Sequence, residues 1–157
     1  CDMARAIPEV VFPTARPLVM DAERTFWEKA TAAHVYCQQG RLRGERYSRH
    51  WYDLSAMGKT VHAGKACADR ELAKAVAEHK SVFFVEKDAD GNRIDYYAAT
   101  SGHLQLIPVG ASLAALEVDY RAMLEDGLLG NDETSFAEII ERCRAIQDEA
   151  NSRSNLS

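Results

Sequence analysis

"DAERTFWEKATAAHVYCQQG", Asp21–Gly40, is the stretch from which the fold class is read. Phe26, Ala30, Ala33 and Cys37 follow one another at steps of four, three and four, which places them on one stripe of an α-helix. Asp21 stands where a helix takes an N-cap, and Gly40 where a chain leaves a helix. A helix with one apolar stripe needs partners that carry stripes of their own, and the sequence supplies four. One runs from about Glu45 to Met57 and closes at Gly58. Another starts at Asp69 and carries Leu72, Val76, His79 and Phe83. Ala111 to Leu128 carries Leu113, Leu116, Tyr120 and Met123, with Gly130 as a stop. The last opens on Ser135 and Glu138, a capping box, and continues through Ile139, Ile140, Cys143 and Ile146.

The expected fold class is therefore mainly α: a compact domain of about five helices over residues 21–151, with Phe26, Trp51, Leu72, Val76, Phe83, Leu116, Tyr120 and Ile140 largely buried. Residues 152–157, "SRSNLS", are expected to fray. "KDADGN" reads as a turn, and "IDYYAATSGHLQLIP" as an irregular crossing with at most a short hairpin. Residues 1–20 contain Pro8, Pro13 and Pro17, and "EVVFPTARPLVM" offers two short edge strands. With Cys1 in first place, this segment reads as the end of a preceding element cut from a longer protein. Such a cut would leave an apolar patch at Val10, Val11, Phe12 and Leu18, covered by self-association into a homo-oligomer.

Composition narrows the function. A chain of 157 residues, 46% hydrophobic, is long enough for one domain with a substantial core. A formal charge of −5 argues against a generally basic nucleic-acid surface, although Arg41, Arg43, Arg46 and Arg49 form a local basic run. Cys1, Cys37, Cys67 and Cys143 are widely spaced with no Cys-x-x-Cys pair, which reads as reduced thiols and a cytoplasmic location. No apolar run is long enough for a membrane span, and "CDMARAIPEV" lacks a signal peptide's apolar centre.

Several motifs fail on their spacing. "GKT" at Gly58–Thr60 lacks the glycine of a phosphate-binding loop, since Asp53 stands in its place. "DADGN" has its glycine one place early for a calcium loop, and Ala99 stands where the bidentate glutamate belongs. Neither G-x-S-x-G nor His-Glu-x-x-His occurs.

Two constellations remain. In "RYSRHWYDL", Arg46–Leu54, the residues Arg46, His50 and Asp53 are expected on one helical face, with Tyr47, Trp51 and Leu54 on the adjoining one. In "ERTFWEKA", Lys29 sits on a helix anchored by Phe26 and Trp27, from which it could reach a phosphate. Charges of this kind commonly pair between helices, and spacing leaves both readings open. His50 and Asp53, one turn apart, lack a third partner for a metal, so no metal ligands are assigned.

"RTFWEKATAAH", "RYSRHWYDL", "HKSVFF", "GHLQLIPVGASLAALEVDYRAM" and "SFAEIIERCRAIQDEAN" resemble, in order and spacing, successive blocks of the C-terminal half of AbiEii-type nucleotidyltransferases, toxins of abortive-infection and type IV toxin–antitoxin systems. The resemblance spans Glu23 to Asn151. It implies a DNA polymerase β-like fold followed by a helical part, Mg²⁺-dependent use of a nucleoside triphosphate (NTP), and for some members transfer of nucleotides to tRNA. It further implies that Lys29 and Asp53 belong to the catalytic motifs, with Arg46, Arg49 and His50 as nucleotide or acceptor contacts, and an antitoxin as a protein partner. The family's signature, a Gly-Ser turn followed some ten residues later by a metal-binding Asp-x-Asp or Asp-x-Glu, has no counterpart: no Gly-Ser pair occurs, and the only Asp-x-Asp is Asp88–Asp90 in the turn. Without clustered carboxylates the 157-residue chain alone is expected to be inactive, with Mg²⁺ and NTP used only by the full-length protein. The expectations are thus three: the C-terminal part of a nucleotidyltransferase, a non-catalytic helical module that binds a partner protein, or a phosphate-chemistry enzyme built on His50 and Asp53.

Overall fold

The computed structural model describes residues 20–41, 45–129 and 134–154. Among these are seven α-helices: α1 Ala22–Gln39, α2 Arg49–Gly58, α3 Val61–Ala68, α4 Arg70–Phe83, α5 Tyr96–Thr100, α6 Ala111–Glu125 and α7 Phe136–Ser154. The described residues contain no strand, only an antiparallel bridge between Lys87 and Arg93. The two edge strands and the apolar patch expected before Met20 lie outside the described residues.

The central element is α1, because its apolar surface is wider than one stripe. Phe26, Trp27, Ala30, Ala33 and Tyr36 are all buried, and α2, α3 and α4 pack around it while α7 closes over α2 and α3. The helix stops where Gly40 turns left-handed at φ 65° and its amide donates to the Tyr36 carbonyl. Asp21 occupies the N-cap position but makes no side-chain capping bond; its carbonyl accepts from the Thr25 amide instead.

Two helices go beyond the five expected. The eight residues of α3, "VHAGKACA", bury only Ala63, Ala66 and Cys67, and side chains this small give a weak periodic signal. Thr60 caps α3 by accepting from the His62 amide, which is the local role of the threonine in "GKT". The other, α5, is a five-residue helix capped by Asp95, which accepts from the amides of Tyr97 and Ala98. The turn at "DADGN" is closed by the Asp88 carboxylate, which accepts from the amides of Asp90 and Asn92.

Several boundaries and burials also move. The second expected helix begins at Arg49, four residues later than its pattern suggested, and α6 ends at Glu125, where Gly127 turns left-handed at φ 68°. The last helix continues to Ser154, three residues into the stretch expected to fray. Phe26, Trp51, Val76, Leu116 and Tyr120 are buried as expected, while Leu72 and Ile140 are half-buried. Phe83 is a correction: it is 70% exposed. Its position follows the stripe of α4, but it is the last residue of that helix, and α4 buries Ala73, Val76 and Ala77 farther back. Phe83 lies instead against the His79 ring, 4.9 Å between centroids.

The irregular crossing over 103–109 explains how a chain without strand partners can lie in a core. Leu104 and Leu106 are buried, so their backbone groups need partners other than water. Side chains supply them: the Asn151 carboxamide accepts from the Leu104 amide at 2.8 Å and donates to its carbonyl at 3.0 Å, and Gln147 accepts from the Leu106 amide at 2.7 Å. Replacing Asn151 with alanine strips both groups of Leu104 of their partner. The expected cost is about 1–3 kcal/mol in urea unfolding; a loss below half of the lower bound would mean that water takes the role over.

Candidate functional site

The site forms where α1, α2 and α4 meet. Lys29, on α1, donates from Nζ to Asp53 Oδ2 on α2 at 2.9 Å, each side chain keeping about a quarter of its surface exposed. Arg49 Nε lies 3.8 Å from the same carboxylate oxygen, one turn back along α2. Beside this group a second carboxylate is shared in the same way. Glu28 accepts from Lys80 Nζ, on α4, at 2.6 Å and lies 3.7 Å from Arg24. Four cations therefore share two carboxylates in a chain whose overall charge is negative.

His50 lies between these groups. Burial lowers its pKa from 6.5 to about 4, helped by the charge of Lys29 and opposed by that of Asp53. The imidazole is neutral at physiological pH and offers hydrogen-bonding capacity rather than charge. Its Nδ1 is buried without a hydrogen-bond partner, and its ring meets Tyr47 edge-on at 4.9 Å.

The aromatic residues of "RYSRHWYDL" hold α2 in place. Trp51 is fully buried, donates its indole N–H to the Leu106 carbonyl at 2.6 Å and packs edge-on against Tyr36 at 5.3 Å. Tyr52 donates its hydroxyl to the Leu129 carbonyl at 3.2 Å. These contacts fix the helix from which Arg49, His50 and Asp53 project.

Arg46 is a correction to the shared face expected from its spacing. It precedes α2, has φ 64°, and its guanidinium lies 3.7 Å from Asp126 on the far side of the helix start. The cause is Asp119 on α6, whose two carboxylate oxygens accept from the amides of Arg46 at 2.7 Å and Ser48 at 2.8 Å. This grip turns the chain before α2 and caps it from a neighbouring helix, while the Ser48 hydroxyl makes no capping bond. Lys29, Arg49, His50 and Asp53 are thus brought together, and Arg46 is not among them. Glu28 and Lys80 join them unannounced by spacing, because they lie 52 residues apart in sequence; their only sequence signal is membership of the "FWEKA" and "HKSVFF" blocks.

A sequence model described as "Nucleotidyl transferase AbiEii toxin, Type IV TA system" matches residues 1–142, most of the chain. The chain belongs to the AbiEii family. The match covers the helices that carry Lys29, Arg49, His50, Asp53 and Lys80, so the site lies inside the AbiEii region. A type IV toxin–antitoxin family implies an antitoxin as the partner of this AbiEii chain. No curated protein and no solved structure matches it. Among the described residues no helix is long and apolar enough to cross a membrane.

Nucleotidyl transfer by an AbiEii protein implies Mg²⁺, which needs carboxylates free to hold it. Among the described residues no three His, Cys, Asp or Glu side chains come together as a metal-binding group. The Asp53 carboxylate is engaged by Lys29 and Arg49, and Asp88 by its own turn. These residues do not fit a Mg²⁺ site.

Proposed function

We propose that this chain is the part of an AbiEii nucleotidyltransferase that makes the nucleotide or acceptor contacts for transfer from an NTP to an acceptor such as tRNA. The observation that carries the reading is the excess of cations at the α1–α2–α4 junction: Lys29, Arg49, Lys80 and Arg24 against Asp53 and Glu28. A triphosphate brings several negative charges at once, and a partly exposed lysine held 2.9 Å from an aspartate can be passed to a phosphate oxygen without a large desolvation cost. Asp53 orients the two cations that flank it, and His50, neutral, contributes a ring nitrogen rather than a charge. Arg46 lies at the other end of the α2 entrance, where its half-exposed guanidinium suits a more distant part of an acceptor. Mg²⁺ would be held by the Gly-Ser and Asp-x-Asp block of the family, and the residues of this chain act on the nucleotide and acceptor.

The test separates this role from simple bracing, which also requires an ion pair between helices. In an assay with Mg²⁺, each NTP and tRNA, the 157-residue chain transfers no label. When the same sequence is joined to the family's Gly-Ser and Asp-x-Asp block, transfer appears, and Lys29→Ala and Asp53→Ala each reduce it by at least 100-fold, on the scale of ~2.7 kcal/mol or more of transition-state stabilisation. Melting temperatures change little, because a charge kept for a substrate contributes little to stability. Variants that keep their activity while losing about 1–3 kcal/mol of stability would assign the pair to bracing alone.

A further inference from the structure

Between α1 and the end of α4 the chain forms a groove of about 180 Å³ lined by Val35, Tyr47, Lys80, Phe84, Glu86 and Tyr96. We infer that this groove is a nucleobase subsite, in which the base of a nucleoside triphosphate stacks on the half-exposed ring of Phe84. The inference rests on the proposed function, because it places the base of the same nucleotide whose phosphates meet Lys29.

Its size points to part of a ligand rather than a whole one, since a cleft for a complete drug-sized molecule measures roughly 300–1,000 Å³. The chemistry points to a flat ring. An aromatic ring stacks any base, and the carboxylate of Glu86, which accepts from Gln39 at 3.3 Å, has further lone pairs for a donor on the base edge. Phe84 is 48% exposed, which is costly for an aromatic ring that serves only packing, and Lys80 Nζ sits 4.3 Å from its centroid. Val82, Phe83 and Val85 beside it are exposed as well, so the apolar surface extends out of the groove.

Continuity with the phosphate face supplies the second argument. Tyr47, which lines the groove, packs edge-on against His50 at 4.9 Å, and Lys80, which also lines it, is bound to Glu28, the residue before Lys29. Thr31 and Ala32 line the groove on α1, two and three residues after Lys29. The groove thus adjoins the segment of α1 that carries Lys29.

The experiment measures binding to the 157-residue chain, with three probes: each NTP, inorganic tripolyphosphate, which has the charges without the base, and a short single-stranded RNA. Phe84→Ala is expected to weaken NTP binding roughly ten- to a hundredfold, the scale of one lost base–aromatic stack, and to leave tripolyphosphate binding unchanged. Phe84→Tyr should restore the NTP affinity. Lys29→Ala should weaken both phosphate probes. NTP affinity indifferent to Phe84→Ala, with tripolyphosphate still dependent on Lys29, removes the groove and leaves the phosphate reading standing. Loss at Phe84 with indifference at Lys29 removes the phosphate reading and keeps the groove. RNA binding that depends on Phe84, without NTP binding, or no binding of any probe, overturns the inference.

Discussion

Trp51→Ala is expected to remove about 3–5 kcal/mol of stability, the range for truncating a large buried aromatic side chain. Three losses coincide at this position. The ring is fully buried, so its removal leaves a cavity where α2 meets the core. The Leu106 carbonyl, buried in the crossing without strand partners, loses its indole donor at 2.6 Å. The edge-on contact with Tyr36, which ties α2 to α1, disappears. Since a domain of this size is stabilised by only about 5–15 kcal/mol, the variant should be poorly folded at 37 °C. Trp51→Phe keeps a ring and loses the N–H, and should cost less, about 1–3 kcal/mol from the orphaned carbonyl together with the smaller volume. Urea midpoints of the three proteins check the order; a Trp51→Ala protein as stable as the Phe variant would show that the hydrogen bond, not the packing, carries the contribution.

Mild acid should have the second large effect. Burial lowers the pKa of His34 and of His50 from 6.5 to about 4, in both cases as the leading cause. The sign follows from proton counting. Between pH 6.5 and 4 the unfolded chain binds a proton at each histidine and the folded chain does not, so stability is full above about pH 6.5 and declines as the pH falls toward 4. At pH 5 the loss from each histidine is on the order of 2 kcal/mol. The geometry at His34 agrees, since its Nδ1 must be unprotonated to accept from the Gln105 amide at 3.1 Å. The carboxylates with lowered pKa, Glu23, Asp88 and Glu138, contribute below about pH 4.5, which leaves the window from 6.5 to 5 to the histidines. Denaturation in urea at pH 7.5, 6 and 5 should show the decline, and His34→Gln should remove about half of it. Equal stability at pH 7.5 and 5 would contradict the prediction.

The thiols behave differently. Cys67 and Cys143 are buried, and burial pushes their pKa values up to about 11 and about 12, so they serve as small core residues and not as nucleophiles.

What the sequence determined by itself is the part governed by short-range pattern. The stripe Phe26, Ala30 and Ala33 with Gly40 behind it set α1, and Ser135 with Glu138 set the start of α7, where the glutamate accepts from the Ser135 amide and the Glu138 amide donates to the serine hydroxyl. The five blocks named the family, because the order of residue types over a whole chain is more specific than any one spacing. Periodicity could not see α3, whose buried residues are alanines and a cysteine, nor end the α4 stripe before Phe83, since a pattern carries no record of where its partner helix stops. Only the tertiary structure decided which charges meet. Lys29 and Asp53 are 24 positions apart, Lys80 joins Glu28 across 52, and Asp119 reaches back from α6 to turn Arg46 out of the face its spacing had promised. Side-chain ion pairs and capping bonds act over a few ångströms in space, whatever the distance along the chain, so they become legible only once the helices have packed and brought those groups within reach.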